Sequence, residues 1–215
     1  MARAETPSDT STVELNGVNG DDGLATEAQR ARRRRILQAA AELATEGGFD
    51  AVQMREVAER AEVALGTLYR YFPSKIHLLV SVLADEMERL RTRLSSSPQP
   101  DADAESRVRA VLERSVTALQ RKPKLYGAVV RAMMFGDEST ATENNAVSDR
   151  MNAIITEAMA AERGAPSPDD EAIAQLLGKI WLADILSWLA GRATADQMQE
   201  DLALACRLLV GNRAN

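Results

Sequence analysis

The chain is expected to be all-α, on three observations. Apolar residues recur every three to four positions over most of its 215 residues, and no segment sustains the period-two alternation of a strand. The periodic runs are separated by helix punctuation: Gly47-Gly48, Pro73-Ser74, Lys122-Pro123 and the segment RGAPSPD. A composition of 45% hydrophobic and 27% charged residues gives a chain of this length a sizeable core and a soluble surface.

Residues 1 to about 23 are rich in Ser, Thr, Asp and Gly without an apolar period, and read as a disordered tail. The segment EAQRARRRRILQAAAELATEGG then places Ile36, Leu37, Ala40, Leu43 and Ala44 on one helical face and ends at a glycine C-cap signal. QMREVAERA makes a short second helix with Met54, Val57, Ala58 and Ala61 inward. After a break at Glu62-Val63, ALGTLYRY makes a third. Pro73 stops it, and Ser74 is placed to cap the next helix. In that fourth helix Ile76, Leu79, Val80, Leu83, Met87, Leu90 and Leu94 recur up to the loop SSSPQPD. Further helices are expected at about 102–121, 124–135, 141–162, 169–191 and 194–210, about nine in all.

Charge is unevenly placed. The whole chain carries −6, but residues 27–75 carry nine Lys/Arg against seven Asp/Glu, a net of +2 between two flanks of −4 each. A locally basic segment on an acidic chain fits a confined anionic contact. Cys206 is the only cysteine and His77 the only histidine, so no internal disulfide can form and no Cys/His metal site is expected within one chain. The N-terminus lacks the apolar core of a signal peptide. The longest greasy stretch, IWLADILSWLAG, falls short of the roughly 20 residues of a membrane span and carries Asp184. A cytoplasmic protein with no membrane partner is therefore expected. No nucleophile–base pair, metal cluster or phosphate loop is visible, and His77 reads as a packing or surface residue, so no enzyme, catalytic residue, metal or cofactor is expected. An all-α lipid enzyme and an effector-free architectural DNA-binding protein stand as rival classes.

The stretch VALGTLYRYFPSK concentrates rings and cations on a chain that is 4% aromatic. Short helices joined by a tight turn describe a helix-turn-helix unit, whose second helix enters the major groove of DNA. Gly66 costs the third helix about 1 kcal/mol, a cost that makes sense where phosphate or a base edge must approach the backbone. Tyr69, Tyr71 and Lys75, with Arg70 among them, can anchor phosphates, while Leu65, Thr67 and Tyr71 can read bases with help from Gln53 or Arg55. Leu68 and Phe72 read as core. In RARRRR, four consecutive arginines cannot share one face. Arg33 or Arg34 either meets phosphate or a minor groove, or belongs to a solvated face. The apolar segments Met133–Phe135 and Ile180–Trp188 read either as cavity lining or as ordinary core and dimer seam.

VAERAEVALGTLYRYFPSKIHLL resembles the TetR-family repressor signature, intact from Val57 to Leu79. Two departures are that Glu62 stands where the turn usually has Gly, and Ala64 where the recognition helix usually opens on Ser. Together with IWLADILSWLAGRATADQM and LACRLLVG, the stretch is similar to the branch of that family that represses sterol catabolism in actinobacteria. The resemblance implies a helix-turn-helix domain over 24–75 and an effector-binding and dimerisation domain over 76–215. It implies a homodimer on a palindromic operator in double-stranded DNA, released by a bulky apolar effector, here a steroid-derived CoA thioester, with another acyl-CoA or apolar ligand as the alternative. It places Met87, Leu90, Met133, Met134, Phe135, Trp181, Leu182, Ile185 and Trp188 around the effector, and TADQMQEDLALACRLLVG in the dimer interface. Arg91, Lys122, Lys124 and Arg131 are unranked candidates for cations at the pocket mouth.

Overall fold

A computed structural model describes residues 21–95 and 102–211. Among these the protein is all-α, with nine α-helices: α1 (Asp21–Ala51), α2 (Met54–Arg60), α3 (Leu65–Tyr71), α4 (Lys75–Ser95), α5 (Ala104–Arg121), α6 (Pro123–Phe135), α7 (Ala141–Ala160), α8 (Pro168–Leu189) and α9 (Ala195–Leu209). A short 3-10 turn, Glu138–Thr140, leads into α7.

Residues 1–20 of the expected tail lie outside the described residues. The backbone of α1, however, is already helical at Asp21 rather than from residue 24, since no proline interrupts the run before the arginines. The regular helix breaks at Gly48, whose φ of 73° is a left-handed conformation that glycine adopts at no steric cost. Ile36, Leu37, Ala40, Leu43 and Ala44 all face the core.

The turn from α2 into α3 is a Schellman closure. The Glu62 N–H donates to Glu59 O at 3.1 Å and the Val63 N–H to Ala58 O at 3.0 Å. That geometry requires a left-handed residue at position 62, and Glu62 has φ 54°, the only positive φ of a non-glycine residue among those described. The Ser74 hydroxyl accepts from the His77 N–H at 3.4 Å and so caps α4. Farther on, Asp103 caps α5, and Ser167/Asp170 and Thr194/Gln197 form reciprocal capping boxes at the starts of α8 and α9.

Helix α1 packs along α6 and α4, α4 against α6 and α7, α5 against α7 and α9, and α8 between α7 and α9. One apolar core runs without a break from Ile36 through Leu79, Val129 and Ile155 to Cys206. The helix-turn-helix end and the C-terminal body are thus joined through α4 and by the packing of α1 along α6. By length and hydropathy α8, at 22 residues, could span a membrane, because the greasy stretch is extended N-terminally by IAQLLG. In this fold it lies against α7 and α9, with Ala174, Leu177, Trp181 and Ile185 in the core.

Candidate DNA interface and effector site

On α3 the sequence pattern separates into two faces. Leu68 is fully buried and Phe72 is 2% exposed, which fixes the helix on the core, beside α2. Leu65, Gly66, Tyr69 and Arg70 are exposed, and Thr67 and Tyr71 half-buried. A Cβ added at Gly66 would meet no protein atom within 4 Å. Its φ is not in the left-handed region, so nothing inside the protein requires a glycine there. Arg70 lies 6.0 Å from the Tyr71 ring centroid. Arg55 is exposed and bonded to Glu59 at 3.3 Å, while the Gln53 amide turns back to Asp50 O at 2.8 Å. Of the arginine run, Arg33 lies over the Phe72 ring at 5.5 Å, and Arg35 donates to Ala61 O at 3.4 Å at the end of α2. Arg34 is exposed, with no pairing to another described residue.

Lys75 is set apart from the tyrosines. Its ammonium sits 4.1 Å from the centroid of Phe49, at the end of α1, with the Arg131 guanidinium from α6 4.4 Å from the same ring. Burial there holds the Lys75 pKa below its usual range. Beside it, His77 bridges two parts of the molecule: its Nδ1 is 2.9 Å from the Ser74 hydroxyl and its Nε2 3.1 Å from Ser139 O. A neutral ring donating from Nε2 satisfies both contacts.

The expected effector residues fall into three places. Met87, Trp181 and Ile185 are buried in the main core, with Met133 and Trp188 packed on it. Trp181 Nε1 donates to the buried Ser115 hydroxyl at 2.8 Å. Leu182 is half-buried on α8. Leu90 belongs to a smaller cluster with Val111 and Ile154. Met134 and Phe135 are corrected: they are 54% and 72% exposed and do not face the interior. Met134 falls off the buried stripe of α6 formed by Leu125, Ala128, Val129 and Ala132, and Phe135 is the last residue of the helix, with the Arg131 guanidinium 5.9 Å from its ring centroid.

An open cleft of about 450 Å³ lies between α4, the second half of α5 and the α5–α6 corner. Leu90, Leu94 and Ala118 form apolar wall, and Glu86 and Tyr126 provide a polar floor. Arg93, Arg114, Arg121 and Lys122 complete the lining. Burial, and the Glu86 carboxylate to which its hydroxyl is hydrogen-bonded, push the Tyr126 pKa up to about 12. Of the four expected mouth cations only Lys122 is here. Arg91 is bonded to Glu157, Lys124 to Glu46 O, and Arg131 is stacked at Phe49. Sequence reasoning missed Arg114 and Arg121, whose i, i+7 spacing with Thr117 and Ala118 between them was the available signal of a shared face.

A short helix with an exposed Tyr69-Arg70 face, joined by a tight turn to a second short helix and attached to a larger helical body, fits a DNA-binding regulator. The comparisons give the same class. Residues 36–82 match the model for bacterial regulatory proteins of the tetR family, and residues 102–209 that for a tetracyclin repressor-like C-terminal domain. The chain is 44% identical over 193 residues to the HTH-type transcriptional repressor KstR of Rhodococcus jostii, covering 90% of this chain and 89% of KstR. It superposes on a crystal structure of a TetR transcriptional regulator from Rhodococcus sp. RHA1 with a TM-score of 0.76 and 37% identity, covering 87% of this chain and 99% of the other. It shares its fold with Thermus thermophilus FadR, a TetR-family repressor solved with lauroyl-CoA, at a TM-score of 0.67 and 22% identity, covering 85% and 95% of the two chains. The chain belongs to the TetR family of transcriptional repressors.

Proposed function

We propose that this repressor binds a palindromic operator as a cytoplasmic homodimer and is released from it by a steroid-derived CoA thioester, so that its targets are genes of sterol or lipid catabolism. The observation that carries the reading is the match to KstR along nine-tenths of both chains, through the helix-turn-helix and the sensing body alike. FadR, with the same fold and an acyl-CoA bound, supports a CoA thioester as the effector class.

Dimerisation is supported by Leu176, Leu189, Leu204 and Leu208, which leave α8 and α9 with large exposed apolar side chains. On DNA, Tyr69 and Arg70 would contact phosphate, with Arg34 on α1 and Lys75 at the start of α4 as separate phosphate anchors. Leu65, Thr67 and Tyr71 would read bases, helped by Arg55 or Gln53. The bare backbone at Gly66 leaves room for DNA to approach. Two recognition helices must lie about 34 Å apart to meet successive half-sites. Helix α4 runs 21 residues, about 31 Å, from Lys75 beside α3 to the cleft residues Leu90, Arg93 and Leu94. An effector that tilts α4 changes the separation of the two recognition helices. A hundredfold loss of operator affinity requires only about 2.7 kcal/mol of differential binding. Met87, Met133, Trp181 and Ile185 would move to admit the apolar body, since they are packed in its absence.

The test is an operator gel shift with a steroid CoA thioester titrated to about 100 μM, equivalent to about −5.5 kcal/mol, with tryptophan emission followed in parallel. Release of DNA together with altered emission is expected, because both tryptophans lie in α8. If neither changes while operator binding persists, the sterol assignment fails and the repressor assignment stands.

A further inference from the structure

Three cations of the α4–α5–α6 cleft, Arg114, Arg121 and Lys122, are not neutralised by another described residue. Around its rim stand Arg93, Arg114, Arg121 and Lys122, against one carboxylate, Glu86, which is itself buried and engaged with Tyr126. Elsewhere on the same body Arg89, Arg91, Arg107, Arg109, Arg150 and Arg163 each pair with an acid. Arg114, Arg121 and Lys122 have no pairing with another described residue, on a chain of net charge −6. Gathering like charges without a counter-charge is unfavourable unless an anion is bound there. The dipole of α5 accounts for Arg121 and Lys122, which end that helix, but its influence does not extend beyond the last turn. Arg114 lies two turns earlier, about 10.5 Å along the axis. A single carboxylate or phosphate cannot meet both ends of such a row, whereas phosphates spaced along a flexible chain can. The wall of Leu90, Leu94 and Ala118 adds an apolar side on which the rest of such a molecule can lie.

We infer that this cleft anchors the polyphosphate end of the effector, an organic molecule bearing at least two phosphates beside an apolar body. The inference deepens the reading above, on which it rests: the thioester's nucleotide end would occupy the cationic rim, and its apolar end would pass Leu90 toward the core. Because Glu86, Leu90 and Arg93 belong to α4, filling the cleft acts on the helix that adjoins α3.

The experiment compares the full-length protein with an Arg114→Gln/Arg121→Gln variant, in which the side-chain stems are largely retained. Coenzyme A alone is titrated calorimetrically at two salt concentrations, and the steroid CoA thioester is titrated against the operator complex. The wild type should bind coenzyme A more weakly at high salt. The variant should need at least about tenfold more thioester for half-release, with its operator affinity in the absence of effector unchanged. Arg114→Lys/Arg121→Lys should recover part of the response. If coenzyme A does not bind the wild type, or binds both proteins equally, the inference is overturned. A variant that responds at wild-type thioester concentrations overturns it equally. If instead coenzyme A binds only the wild type while the thioester releases no DNA, the cleft assignment stands and the proposed effector fails.

Discussion

Replacing Glu62 by glycine should stabilise this protein. The Schellman closure of α2 holds position 62 at φ 54°, pinned on either side by the bonds Glu62 N–H to Glu59 O and Val63 N–H to Ala58 O. A left-handed conformation costs a side-chain-bearing L-residue about 1–2 kcal/mol. Glycine removes that strain but loses about 0.5–1 kcal/mol more conformational entropy on folding. The net expectation is a gain of about 0.5–1 kcal/mol, or roughly 1–4 °C in Tm for a chain of this size. The Glu62 side chain is exposed and pairs with no other described residue, so no lost contact opposes the gain. Urea unfolding at fixed protein concentration should show a raised midpoint with an unchanged slope. Glu62→Gln should be neutral within about 0.5 kcal/mol, which separates backbone from charge. Glu62→Val should destabilise, since a β-branched residue is the poorest occupant of this region. A Glu62→Gly variant less stable than wild type, or a neutral Glu62→Val, would refute the strain argument.

Tyr126 should make stability fall at alkaline pH. Its folded pKa is pushed up from 10.0 to about 12, so the contribution is intact below pH 10 and is lost between pH 10 and pH 12, where only the unfolded chain ionises. Two units amount to about 2.7 kcal/mol, and the difference in alkaline unfolding between wild type and Tyr126→Phe should shrink by that order; parallel pH profiles would contradict it. Trp181→Phe should cost about 0.5–1.5 kcal/mol for the lost Ser115 hydrogen bond plus a packing loss, whereas Trp181→Ala should cost about 3–5 kcal/mol and is a poor probe of effector response. Equal losses for the two in chemical denaturation would argue against a packed core site. Lys75→Ala should weaken binding to all DNA sequences and lower the salt slope by about one unit. An unchanged slope in a folded variant would confine Lys75 to its contact with Phe49.

What was legible in the sequence was whatever depends on near neighbours along the chain. Helical periodicity, the glycine break at Gly47-Gly48 and the cap at Ser74 are local effects, acting within about a turn, so they can be read from short segments. The buried state of Leu68 and Phe72 follows from the same spacing, Leu68 on the apolar face of a seven-residue helix and Phe72 four positions on, at its C-cap. The departure at Glu62 was equally visible, though its left-handed φ came only with the closed turn. Side-chain partners across helices were not legible. Met133 and Phe135 are near neighbours in sequence, yet one packs on the core and the other faces outward, because α6 ends one residue later at Gly136. Lys75 settled on Phe49, and Arg91 on Glu157, 66 residues away, through the packing of α4 against α1 and α7. The cleft is the clearest case. Its cations come from α4, α5 and the corner before α6, and no local rule says which cations of separate helices converge. That is decided by the crossing of the helices, which the shared core of the whole chain determines.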